Sequence, residues 1–486
     1  MNLPLLSLLV FTPLAGALAL WLLPARAARS VAALAMGLTL LIATAVLFIY
    51  DPAGPRFQLV ERAGWIASLN VDYRVGIDGL SVLFFPSTAL LFLGSLVASW
   101  NRVQAAAPRL HYSLLLLLMT SMLGIFAALD TVLFFVFWEL SLLPLYFLLG
   151  RWGVAADSPA VAGRYFLIML AGGIPLLLAF VVLATSQAVP TFDLMLLLQR
   201  PLPHATQTAV FLLCLAGFAV KVPLVPLHTW LPQFSLAAPG SLTALLVGLK
   251  VGVYGLIRFA IPLAPDVAQE LHWLLAGLGT LSLIYGAVGI LGQTNLRVGL
   301  AYASICHVGL AILGLAALSA QGVQGAVSLL LSFSVATGGG FLLLEFLRQR
   351  TGSTDINALG GAAKTMPLLA TGYLICGLAG VGMPGTSSFP GEFMLILAAL
   401  RSHTGAGMAA LFGLSIAAGA FLALYRKAFF GPTTRPDVAQ AEDLRPREWV
   451  VLVALIAMVV VIGIYPGPWI DIVRPAAEAW AGGLGR

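Results

Sequence analysis

Residues 218–232 read FAVKVPLVPLHTWLP. A lysine, Lys221, stands inside an apolar run and is followed by Pro223, Pro226 and Pro232. Proline in a helix interior removes a backbone donor and clashes with the preceding turn, at a cost of about 3 kcal/mol. Long apolar sequence precedes and follows the segment, so a surface loop is a poor description of it. It reads instead as a membrane-crossing helix broken part-way, because unwound backbone at membrane depth survives only inside protein or beside water. Residues 380–393, GVGMPGTSSFPGEF, repeat the pattern with Pro384, Pro390 and Glu392.

Composition agrees with a lipid solvent. Of 486 residues, 60 % are hydrophobic and only 9 % charged, against roughly 25 % charge in soluble chains. Such a chain cannot cover itself with a hydrated surface, which excludes a soluble enzyme, a disordered protein and a nucleic-acid binder. The net charge of +6 belongs to loop arginines facing anionic lipid. Cys214, Cys306 and Cys376 lie in apolar runs without C-x-x-C spacing and read as small core residues.

About fourteen runs are long enough to cross, beginning near residues 3, 30, 79, 112, 131, 162, 207, 239, 270, 298, 322, 367, 406 and 449. Stretches such as YSLLLLLM at Tyr112–Met119 do not alternate, so the predicted fold is an all-α polytopic bundle and not a porin-like barrel. No basic stretch precedes the first run, which is expected to be a retained helix. An even number of spans puts both termini on one side. The opposite loops, Arg102 among them, hold nearly twice the Lys and Arg of the termini side, where Arg486 is counted. The positive-inside rule then places both termini outside.

Lys221 and Lys250 are missing from the loops, and Glu139 (FFVFWELSLLPL) likewise sits in a span. An unpaired charge at mid-bilayer costs about 2.5–3.5 kcal/mol even on lenient scales, so a partner or a wet path is expected. Snorkelling is the simpler account of Arg258, and of Glu345 with Arg348, near span ends. The two breaks fall in the seventh and twelfth spans, the fourth member of two successive groups of five. Five is odd, so the groups run in opposite senses, and matched breaks in inverted halves point to an ion or substrate pathway. The resulting divisions are an N-terminal segment 1–111, repeats 112–262 and 263–430, and a loop with the last span at 431–486.

The sequence shows neither a nucleophile–base pair nor a metal-ligand cluster nor a phosphate loop. Gly338–Gly340 reads as close helix packing. Ionisable groups on several apolar helices suit proton movement: a desolvated lysine loses its proton readily, and a nearby carboxylate restores its hold. Glu139 beside Lys221 would form such a pair, with Lys250 the next acceptor. His307 is a relay or a hydrogen-bonded core histidine. His228, within the first break, relays or orders the unwound backbone. His111 and His204 read as loop residues, and Asp130 as a helix N-cap.

FFVFWELSLLPLYFLLGRWG, FAVKVPLVPLHTWLP, LKVGVYGLIRF, QTNLRVGLAYASICHVG and MPGTSSFPGEF resemble the antiporter-like membrane subunits of respiratory complex I. The resemblance implies two inverted half-channels and a line of Glu139, Lys221, Lys250, His307 and Glu392. It implies coupling of NADH–quinone electron transfer, performed in partner membrane and peripheral subunits, to proton translocation in a bacterial inner membrane. Flavin, Fe–S clusters and quinone would belong to those partners, and this chain would bind no cofactor and no metal. Where the family carries a histidine in the eleventh span, this chain reads Ser332-Phe333-Ser334; Arg297 stands for a usual lysine, and Ala238-Pro239-Gly240 shortens another motif. Hydroxyls of Ser332, Ser334 and Thr337, with ordered water, are the expected substitute relay. Rival readings are a cation/proton antiporter subunit, a proton-conducting partner of a hydrogenase or an inorganic-carbon uptake protein, and a non-conducting structural arm.

Overall fold

Hydrocarbon offers a backbone N–H or C=O no water, so each crossing must close its own hydrogen-bond ladder, and a helix does so within one segment. The computed structural model describes residues 3–100, 107–433 and 435–484; Arg102 and Arg486 of the charge count lie outside them. Among the described residues, twelve helices are long and apolar enough to cross a membrane. They are spans 1 and 2 (Leu5–Leu22, Ala25–Ile49), 4 to 6 (Pro108–Ala127, Thr131–Trp152, Ser158–Thr185) and 7 to 9 (His204–Lys221, Gly240–Ala260, His272–Leu291). Spans 10, 11, 13 and 14 are Leu296–Leu315, Ala320–Thr351, Thr404–Phe429 and Pro446–Ile464. Two shorter apolar helices, Phe84–Ser99 and Pro367–Gly380, supply spans 3 and 12 and complete the expected order.

Spans 8 and 11 form the centre: 94 % of each hydrophobic window is buried in protein, against 28 % for span 14. Span 11 packs closely through its three glycines. A β-carbon on Gly338, Gly339 or Gly340 would press on Leu91 of span 3, Leu455 of span 14 or Leu300 of span 10. All three cysteines are buried.

Both proline-rich stretches break their helices. Span 7 stops at Lys221 and resumes as Trp230–Ala237, and span 12 stops at Gly380 and resumes as Phe389–Ser402. Span 8 is interrupted as well, with no proline in it. Its first helix ends at Gly248, Lys250 has φ +35° in the left-handed region, and the chain restarts at Val251 before a π turn over Leu256–Ala260. Backbone groups exposed by these breaks are met by side chains. Ser334 Oγ donates to the Gly248 carbonyl (3.0 Å), Ser332 Oγ to that of Ser387 (2.5 Å), and Trp230 Nε1 to that of Val220 (2.9 Å). The Val225 amide donates to Ser282 Oγ (3.0 Å).

On the termini side the structure adds two elements to the predicted helical bundle. Residues 58–77 form an antiparallel hairpin, β1 (Gln58–Ile66) and β2 (Val71–Ile77). Its Glu61 carboxylate accepts from Leu6 N (2.7 Å) and Ser7 N (3.0 Å), capping span 1, and Arg74 pairs with Asp193 ahead of span 7. After span 14 an amphipathic helix, Gly467–Gly483, folds back: Trp480 Nε1 donates to Ile257 O (2.8 Å), and Gln269 bonds the Leu484 carbonyl. Asp130 caps span 5 as expected, accepting from Val132 N (2.9 Å) and Leu133 N (3.0 Å). Burial pushes its carboxyl up to about 6, against the lowering effect of those backbone donors.

Two readings need correction. Arg258 does not snorkel; it is 3 % exposed and forks onto Asp78 at 2.5 and 2.6 Å, with Tyr254 OH accepting from its Nε at 3.0 Å. His111 is not a loop residue. It is buried in span 4, edge-on to Tyr112 and Trp152. Glu345 also does more than pair with Arg348 (2.7 Å), since its other oxygen accepts from Gly240 N (2.8 Å) at the start of span 8.

Candidate functional site

The first half of the line is built from spans 5 to 8. Lys221 ends the first part of span 7, where the break lets its ammonium reach span 5. There it donates to Trp138 O (3.1 Å) and Ser141 Oγ (3.0 Å) and lies 3.8 Å from the Trp138 ring centroid. The partners thus bracket Glu139 in sequence, and among the described residues no direct Lys221–Glu139 ion pair forms. Glu139 is half-buried, its Oε1 carries no hydrogen bond, and its carboxylate rests against Gly173 of span 6, where an added β-carbon would strike it. A cavity of about 10 Å³, near the minimum for one water, is lined by both Lys221 and Lys250.

The second half hangs on span 10. Lys250, turned inward by its left-handed backbone, donates to Ser304 Oγ. His307 lies one turn further along the same helix face. Its Nδ1 is 2.7 Å from Ala303 O, fitting an N–H donated to that carbonyl, and its Nε2 is 3.4 Å from Glu392 Oε1. Glu392 follows the break of span 12 and packs against Gly382 (φ +69°), where an added β-carbon would be both strained and in overlap with the carboxylate. Phe333 of span 11 borders both the lysine and the histidine. Lys250 Nζ is 5.1 Å from its ring centroid, and the His307 ring meets it edge-on at 6.0 Å.

Lys221, Lys250, His307 and Glu392 are each buried. The structure brings His307 and Glu392 together, seats both lysines on one small cavity, and leaves Glu139 at the edge of the protein. His228 is buried in the break of span 7, its ring 4.6 Å from that of Tyr285 and 6.5 Å from that of Tyr302. Ser332 and Ser334 are engaged with break carbonyls, and Thr337 is buried in span 11. Sequence reasoning missed Ser304, although the S-x-x-H spacing already put it on the histidine's face. It missed the Asp78–Arg258 pair altogether.

Two odd-numbered helix groups, a broken fourth member in each, and a buried lysine–histidine–glutamate line define the antiporter-like class of membrane proteins. Residues 128–417 match the family model described as NADH:quinone oxidoreductase/Mrp antiporter, TM, and the chain belongs to that family. It is 33 % identical to NADH-quinone oxidoreductase subunit M of Rhodobacter capsulatus, over 97 % of this chain and 95 % of that one. Among solved structures it is similar to a chain of respiratory complex I from Thermus thermophilus with bound NADH. There the TM-score is 0.91 and the identity 34 %, covering 99 % of this chain and all of the other. A chain of the Mrp complex from Dietzia shares the fold at TM-score 0.85 and 21 % identity, over 99 % of this chain and 98 % of that one.

Proposed function

We propose that the chain is a proton-translocating membrane subunit of a complex I-type NADH–quinone oxidoreductase. Full-length similarity to subunit M, together with the buried Lys221, Lys250, His307 and Glu392, carries this reading. Residues 112–262 and 263–430 are taken as the two half-channels. A change of charge at Glu139 and Lys221 alters how firmly Lys250 holds its proton, since opposite and like charges at short range favour and disfavour the charged form. Lys250 then passes the proton towards His307 and Glu392. Each proton moved outward works against about 2.3 kcal/mol per 100 mV, so a partner must drive it. The half-exposed Glu139 is the group a neighbouring subunit would reach first.

In this proposal electron transfer, flavin, Fe–S clusters and quinone belong to partner subunits, and the chain acts as part of a translocase. The basic loops face the cytoplasm of a bacterial inner membrane, with both termini periplasmic. Membranes carrying Lys250→Ala or Glu139→Ala are expected to retain assembled complex and lose most proton pumping. Wild-type proton-to-electron stoichiometry in either variant refutes the assigned roles.

A further inference from the structure

Away from the charged line, an apolar groove opens between spans 3 and 14 with span 11 as its floor. Its larger-scale shape is set by two adjoining hollows. One, of about 220 Å³, runs past Leu90, Gly94 and Val97 on one wall and Val451 and Ala454 on the other, and ends at Arg447. The second, of about 310 Å³, shares Ser87, Leu90 and Met458 with it and continues to Trp469 near the termini side. Arg447 Nε and Trp469 Nε1 are buried donors with no hydrogen-bond partner.

The first hollow has the dimensions of one leaflet. It follows span 14 from Arg447 to Met458, a rise of about 16 Å at 1.5 Å per residue, which is half of the roughly 30 Å hydrocarbon thickness. The strip along this length is lined almost wholly by apolar side chains, as an acyl chain requires.

Its polar end is cationic. Arg447 and Arg29 sit over the same Trp100 ring, 5.8 and 4.0 Å from its centroid. Neither forms an ion pair among the described residues, and the nearby Glu448 is held by Arg350. Arg29 also lines an open recess of about 430 Å³ with Arg26 and Tyr112, room for a polar headgroup.

We infer that this groove is a binding site for one anionic phospholipid. Its phosphate lies between Arg29 and Arg447, and one acyl chain runs along Gly94, Val451 and Ala454 to the membrane midplane. Two arginines without an ion pair among the described residues, one of them with an unpartnered buried Nε, attract a phosphate by charge and hydrogen bonding, and anionic headgroups are enriched where basic residues gather.

The test uses the intact complex in vesicles containing phosphatidylglycerol with a diazirine in its tail, and in parallel the phosphatidylcholine analogue. Irradiation of the wild type is expected to give adducts on residues 90–97 and 450–458, several-fold more with phosphatidylglycerol. Ala454→Phe, which fills the groove from its exposed wall, is expected to cut labelling there at least five-fold with either lipid. Arg447→Gln is expected to abolish the headgroup preference and retain labelling. Equal labelling by both lipids in wild type, unchanged labelling in Ala454→Phe, or cross-linking of Ala454→Cys to another subunit's helix overturns the proposal. Proton pumping is not the readout, so failure here is distinct from failure of the proposed pathway.

Discussion

At the residue scale, two carboxylates at opposite ends of the line each rest on a glycine, Glu139 on Gly173 and Glu392 on Gly382. Gly173→Ala is therefore expected to lower pumping in assembled complex several-fold, although no charge is removed. Gly163→Ala on the same span, where a β-carbon meets open space, should leave pumping unchanged. Proton flux in inverted vesicles distinguishes the two, and equal activity would separate Gly173 from the Glu139 position. The lysines were legible because an ammonium in an apolar run has few explanations. Arg258 was misread because its partner, Asp78, is 180 residues away, and a span-end arginine without a visible partner resembles a snorkelling one. Phe333 was legible as a departure from the family pattern, but its contacts with Lys250 and His307 required three helices to be placed.

At the element scale, what matters is how each break satisfies its freed backbone groups. The prolines of spans 7 and 12 announced their breaks; the interruption at Lys250 had only flanking glycines, Gly248 and Gly252, as a local hint. The residues there meet spans 3, 10 and 11, Gly248 against Leu91 and Ser334 and Lys250 on Ser304, contacts that no local pattern encodes. The hairpin was legible in principle, since Val71–Ile77 (VDYRVGI) begins with strict alternation, but it lay in a loop read only for charge. Ser334→Ala would remove the side-chain donor from the buried Gly248 carbonyl, a loss of about 1–3 kcal/mol. The expected result is a lower melting temperature of the purified complex, with Ser334→Thr nearer to wild type. An unchanged melting temperature in the alanine variant would mean that the carbonyl finds another partner.

For the whole molecule, the C-terminal helix is the least anticipated part, because a segment that lies along a bundle carries no crossing signal. It reaches the chain on both sides of the turn from span 8 to span 9: Trp480 bonds the π turn of span 8, and the residue after the helix, Leu484, is bonded by Gln269 in the link to span 9. Trp480→Ala removes a buried ring, for which about 3–5 kcal/mol is typical, while Trp480→Phe removes chiefly the hydrogen bond, about 1–3 kcal/mol. Yield of assembled complex should therefore fall in the order wild type, Trp480→Phe, Trp480→Ala. Equal yields would make the helix a passenger.

The aromatic ring that borders both Lys250 and His307 has one further implication for the proposed route. A benzene ring can neither lend nor borrow a hydrogen ion, so on the proposed route a proton leaving Lys250 has to pass it by way of Ser304, which already accepts from that lysine, or of water.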